Sequence, residues 1–150
     1  MKHTLKNLES AFAGESSAHA KYLYFAKLCD EQGYPEIAQH FRNTASQELL
    51  HAWSHLDLLV GKPSAKQCLE MAIAGETYEY TQMYPQFAII ATIEGDTKAE
   101  REAREQASES KAHAEQFKRV LEKAEKRFSA LARVEKHHAE QYEEKLRSLV

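Results

Sequence analysis

Glycine and proline are scarce in this chain of 150 residues, and their positions decide what it can become. Gly33 with Pro35, Gly61 with Pro63, and Gly95 mark three breaks. A glycine just past one helix and a proline opening the next is the usual stop and start pair. Between the breaks, apolar residues recur every three or four positions, the spacing of a helix face rather than of a strand. Leu, Ala, Glu, Lys, Gln and Arg, all good helix formers, dominate the composition. The expectation is an all-α domain spanning residues 1–150.

Four helices follow from these breaks. Thr4 is expected to cap the first, which carries Leu5, Leu8, Phe12, Tyr22, Phe25 and Leu28 as far as Gly33. Pro35 opens the second, which carries Ile37, Phe41, Ala45, Leu49, Ala52, Leu56 and Leu59 to Gly61. Their short connection makes them antiparallel neighbours. Ser64 with Gln67 reads as a capping box for the third, which runs to Gly95 with a kink at Pro85. Thr97 with Glu100 opens the fourth, which meets no further Gly or Pro and can run about 50 residues, or roughly 75 Å. Its stripe of Ala103, Ala107, Ala114, Phe117, Leu121, Ala124, Phe128 and Leu131 outreaches the third helix, and the overhang calls for a partner.

The chain also repeats itself. Leu8-Glu-Ser-Ala-Phe-Ala-Gly-Glu15-Ser matches Leu69-Glu-Met-Ala-Ile-Ala-Gly-Glu76-Thr, which makes the domain a duplicated helix pair over about 4–60 and 65–148. Each half carries a glutamate after Ala-Gly, and the following helix carries Glu-x-x-His: Glu48 with His51, then Glu135 with His138. Residues three apart share a helix face. Glu79 lies three residues after Glu76 and adds a further carboxylate to that face.

A single Glu-x-x-His is usually a solvated surface pattern. Two in matching repeats, joined by Glu15, Glu76 and Glu79, point instead to a dinuclear metal site. Inward carboxylates without a cation repel one another and resist desolvation. Carboxylates and imidazoles suit iron in both common oxidation states, and manganese or mixed occupancy fits the same ligands. One glutamate from each of two helices and Glu-x-x-His from the other two is the ligand set of ferritin-like di-iron bundles. The predicted fold is therefore a ferritin-like four-helix bundle with an extended last helix.

A net charge of -3 with scattered Lys and Arg offers no basic face for nucleic acid or an anionic membrane. The N-terminal residues lack the apolar stretch of a signal peptide, and no run approaches a membrane span, so a cytoplasmic location is expected. Cys29 and Cys68 have no Cys-x-x-Cys partner and read as reduced thiols. Trp53, between the ligand-bearing turns of the second helix, reads as a packing residue.

Ala-Phe-Ala-Gly-Glu15-Ser, Glu-Gln-Gly-Tyr-Pro-Glu-Ile-Ala, Gly-Glu76-Thr-Tyr-Glu79 and Met-Tyr84-Pro-Gln-Phe together resemble the rubrerythrins, over nearly the whole chain. The resemblance implies that Glu15, Glu48, His51, Glu76, Glu79, Glu135 and His138 bind two iron ions cycling between Fe2+ and Fe3+, oxo-bridged when oxidised. It implies that Glu48 and Glu135 bridge, and that one iron exchanges Glu79 for His51 as the pair is oxidised. Tyr22 and Tyr84 match tyrosines near the iron site. The implied activity is a non-haem di-iron peroxidase that reduces hydrogen peroxide in oxidative-stress defence.

Two departures stand out. Rubrerythrins typically carry a four-cysteine rubredoxin module, which is not expected here, so electrons would come from a separate rubredoxin-like donor. Second, counting from Tyr84 in ordinary register leads to His113, with Ser110 where glutamate is needed and Glu109 beside it. His113-Ala-Glu-Gln-Phe117 recurs 25 residues later as His138-Ala-Glu-Gln-Tyr142, almost seven whole turns on. Because Glu135 and His138 keep the full pair, the sequence favours them. The segment from 97 to about 125 then exceeds a usual connection, which predicts a homodimer, domain-swapped in its extreme form. A ferroxidase or iron-handling protein is the competing activity, and a metal-free helical interaction module the other alternative.

Overall fold

A computed structural model describes residues 2–148, and among them there is no strand. The helices are α1 (Lys2–Glu31), α2 (Pro35–Val60), α3 (Ala65–Tyr78), α4 (Tyr84–Glu94) and α5 (Thr97–Arg147), with a π-helical turn, Glu79–Met83, between α3 and α4. The all-α expectation holds. The chain divides into two compact units at Pro63/Ser64, the junction between the halves of the internal repeat.

In the first unit, α1 and α2 pair as a helical hairpin around Gly33. This residue takes a positive φ of 81°, with Tyr34 N–H donating to Cys29 O at 2.8 Å and Gly33 N–H to Asp30 O at 3.0 Å. Those two bonds close the helix end as a left-handed glycine cap does. The seam is built on alanines: Ala26, Ala38, Ala45 and Ala52 are all buried, so the backbones approach closely. His19 Nδ1 lies 2.7 Å from Ala45 O and ties the two helices together. Tyr22, Phe25 and Phe41 form a three-ring cluster, with Tyr22 and Phe41 centroids 5.8 Å apart.

The second unit packs α3 and α4 along α5. Ser64 and Gln67 form the expected capping box. Gly95 repeats the role of Gly33, with φ 75° and Asp96 N–H donating to Ala91 O at 2.9 Å. Buried Ala88 and Ala114 stand 62 residues after buried Ala26 and Ala52, so the structural repeat extends well beyond the matching nonapeptides.

Several local expectations change. Helix α1 starts at Lys2 and passes through Thr4, which therefore does not cap it. Lys2 and His3 contain no helix breaker, and threonine inside a helix costs only a fraction of a kcal/mol. The cap of α5 is Asp96, whose Oδ1 accepts from Lys98 N–H at 3.1 Å and Ala99 N–H at 3.0 Å. Asp caps more strongly than Thr. Glu100 does not complete a box with Thr97; it bonds Arg104 instead, which holds its carboxyl below the usual range with help from Thr92.

The break expected at Pro85 is the π-helical turn just before it, where Tyr84 N–H reaches back to Glu79 O. Pro85 has no N–H to offer the Thr81 carbonyl, and one inserted residue relieves that mismatch. The repeat offset records the insertion: Glu76 follows Glu15 by 61 residues, whereas Gly95 follows Gly33 by 62. Trp53 is 58% exposed, so it does not fill a core in this unit. Cys29 and Cys68 stand as thiols.

Candidate metal centre

Helix α1 supplies Glu15, and α2 supplies Glu48 and His51 from one face. Their ligand atoms lie within 4.8 Å of one another. His51 Nδ1 is 3.1 Å from Glu48 Oε2; the Glu48 side chain is 19% exposed and the imidazole is open to solvent. The carboxyl of Glu48, sharing a hydrogen bond with Glu15, raises Glu15 above the usual carboxylate range. Burial and repulsion from Glu48 add to the rise, while His51 and His55 oppose it. His55, one turn beyond His51, was missed in the sequence, although its spacing from Glu48 and His51 places it on their face.

This shift has a consequence for the metal-free protein. A carboxyl raised by folding binds its proton more tightly folded than unfolded, so its contribution favours the fold at pH below the usual value of 4.5. That contribution is lost as pH climbs through Glu15's raised value. Thermal unfolding in chelator across this window is expected to show stability falling with pH in the wild type, and a smaller fall in Glu15→Gln. Equal slopes in the two proteins would contradict the assignment.

In the second unit, α3 supplies Glu76 and the π-helical turn begins with Glu79. Helix α5 places Ser110 and His113 against them. His113 Nδ1 lies 3.5 Å from Glu76 Oε1, and Ser110 Oγ donates to Glu79 Oε2 at 2.9 Å. Glu76 Oε2 is buried without a hydrogen-bond partner among the described residues. An orphaned carboxylate oxygen is costly unless a cation meets it. Burial raises the Tyr84 phenol above the usual tyrosine value, and Glu79, Glu102, Glu76 and Glu109 raise it further. Tyr84 therefore remains a protonated donor beside these carboxylates. Tyr22, by contrast, is engaged in the ring cluster of the first unit.

Glu135 and His138 are not brought to Glu76 and Glu79. Helix α5 is unbroken over its 51 residues, and every described residue from 125 onward is exposed. At 1.5 Å per residue, Glu135 stands about 33 Å along the axis from His113, and a continuous helix cannot fold back. The repeat explains which histidine is placed. Beyond the π-helical turn the offset is 62 residues, which carries Glu48 onto Ser110 and His51 onto His113. Motif completeness favours Glu135 and His138, whereas in this unit it is His113 and Ser110 that meet Glu76 and Glu79.

Each unit thus presents two carboxylates and an imidazole, with Glu15 and Glu76, and His51 and His113, at equivalent positions, and their donor chemistry fits hard or borderline metal ions such as iron. Comparison with known proteins bears on the family of the chain. The chain is 44% identical to nigerythrin from Nitratidesulfovibrio vulgaris across 64% of this chain and 54% of that protein. It is 38% identical to rubrerythrin from the same organism across 61% and 55%. It is 30% identical to rubrerythrin-2 from Clostridium acetobutylicum across 78% and 71%. The chain therefore spans about half the length of the first two relatives. The fully reduced, all-ferrous structure of nigerythrin aligns at 36% identity over 81% of this chain and 67% of its own, with a TM-score of 0.42. The rubrerythrin family profile matches residues 6–121, a span that includes Glu15, Glu48, His51, Glu76, Glu79 and His113. By the extent of that match, and with the di-iron donor types in both repeats, the chain belongs to the rubrerythrin family.

Proposed function

We propose that this protein binds two iron ions and reduces hydrogen peroxide to water with electrons from a separate rubredoxin-type protein. The observation that carries the reading is the buried, partnerless Glu76 Oε2 beside His113, matched in the first unit by the mutually close Glu15, Glu48 and His51. Glu15, Glu48 and His51 would hold one ion, and Glu76, Glu79 and His113 the other. Glu135 with His138 is the rival pair for the last ligand positions.

The chemistry a ferrous pair supplies when bound is a two-electron reduction: with two protons, H2O2 becomes two waters as each iron goes from Fe2+ to Fe3+. The chain's own residues set the charge and hold the protons. In each unit two carboxylates would offset the charge of one divalent ion, leaving it close to neutral. Glu15 and Glu48, whose shared hydrogen bond and mutual repulsion raise Glu15 above the usual carboxylate range, would be the carboxylates that a cation relieves in the first unit. Tyr84 keeps its phenolic proton and can donate it as a hydrogen bond toward the Glu79 side of the centre. The 150 residues carry two cysteines, too few to hold a four-cysteine iron centre themselves.

The test is steady-state consumption of peroxide by the iron-loaded protein with reduced rubredoxin as donor. Turnover that depends on both iron and donor supports the proposal; iron-loaded protein that consumes no peroxide under any donor overturns it. Among the described residues no helix is long and apolar enough to cross a membrane.

The same reading includes a homodimer. The part of α5 beyond the repeat exposes Phe128, Leu131, Val134, Tyr142 and Leu146, an apolar succession that a second copy would cover. Light scattering is expected to give twice the chain mass of 17.2 kDa across a range of concentrations. A mass that stays at one chain throughout would contradict it.

A further inference from the structure

The two repeats differ reciprocally at one pair of positions. In the first unit, the residue one turn after Glu15 is Ala18, and the residue one turn before His51 is Glu48. In the second, the residue one turn after Glu76 is Glu79, and the residue one turn before His113 is Ser110. A carboxylate has moved from the second helix of the pair to the first, and a small side chain stands opposite it in each case. Each unit keeps two carboxylates and one imidazole.

The contacts show how the exchange works. Ser110 is 4% exposed, and its Oγ donates to Glu79 Oε2 at 2.9 Å. A glutamate at 110 would fill the space into which Glu79 extends. Because the hydroxyl engages Oε2, Oε1 is the atom left to meet a cation. A neighbour that bonds one oxygen of a ligand carboxylate fixes its orientation and tunes its affinity.

We propose that Ser110 is a positioning residue that seats Glu79 as the second carboxylate of its unit, in the place that Glu48 takes in the first. The proposal rests on the metal-binding reading above. Glu79 would then be a relocated carboxylate rather than an added one, with Oε1 the oxygen that Ser110 leaves unengaged.

The test uses the full chain, loaded anaerobically with Co2+ as a visible-absorbing probe, with bound metal counted after desalting. Wild type is expected to hold about two ions per chain, as a dinuclear carboxylate site does. Glu79→Ala is expected to hold about one, and Glu79→Ala combined with Ser110→Glu, which recreates the Ala18 and Glu48 arrangement, is expected to return to about two. Ser110→Ala is expected to weaken the second ion by about 10- to 100-fold and to alter its absorption band, because Glu79 is freed to chelate with both oxygens. Ser110→Thr keeps the hydroxyl and is expected to retain wild-type affinity and spectrum.

A double variant that folds but binds no better than Glu79→Ala overturns the proposal. So does Ser110→Ala with wild-type affinity and spectrum, and this substitution, readily accepted in a helix, decides the matter if the double variant does not fold. Wild type that binds no Co2+ would instead overturn the metal-binding reading itself, and this proposal with it.

Discussion

Replacing Glu48 with Ala is expected to empty the metal position of the first unit and to lower peroxide turnover by on the order of 100-fold or more, since loss of supporting partners alone typically costs 10- to 100-fold. The effect is large because Glu48 does two things. Its Oε2 lies 3.1 Å from His51 Nδ1, and its carboxyl shares a hydrogen bond with Glu15. Removing it takes away one donor and releases the other two. Glu48→Gln separates charge from shape: it preserves the side-chain length yet is expected to bind iron almost as poorly as the alanine variant. Iron content by elemental analysis checks both, and a Glu48→Ala protein with full iron would contradict the assignment.

The second large effect distinguishes two histidines. His113→Ala is expected to lose about one of two bound ions, whereas His138→Ala is expected to keep both. The ground is positional: His113 Nδ1 is 3.5 Å from Glu76 Oε1, and His138 lies in the exposed part of α5. Glu135→Ala should behave like His138→Ala. The reverse pattern, with metal lost from the Glu135 and His138 variants alone, would restore the complete Glu-x-x-His pair as the ligand and imply that α5 departs from a single unbroken helix when metal binds.

These two histidines show where a sequence of this kind becomes ambiguous. The helix breaks were legible because Gly33 and Gly95 need a left-handed backbone, and because Ser64 and Gln67 satisfy each other's helix-start groups in a way few residue pairs can. The faces bearing Glu15, Glu48, His51, Glu76 and Glu79 were legible too, since residues three or four apart must align. The register along α5 was not. Copies 25 residues apart present nearly the same face, so helical periodicity cannot choose between them.

A further signal was present in another form. The repeat offset changes by one residue across Glu79–Met83, where the π-helical turn takes up the insertion, and the new offset leads from His51 to His113. The matching nonapeptides end before this insertion and so carry no trace of it. Ser110 was hidden for a related reason: as a motif it reads as a missing glutamate, and only its hydrogen bond to Glu79 gives it a role. Asp96 as the cap of α5 lost out in the sequence to the more conspicuous Thr97 and Glu100 spacing, although aspartate is the stronger cap.

The central claim concerns the oxidant. Protein loaded with ferrous iron under anaerobic conditions can be mixed with hydrogen peroxide or with dioxygen at equal concentration, and its oxidation followed by stopped-flow absorbance. The account predicts that peroxide oxidises the iron much faster than dioxygen. Faster oxidation by dioxygen would contradict it and would identify the centre as a ferroxidase.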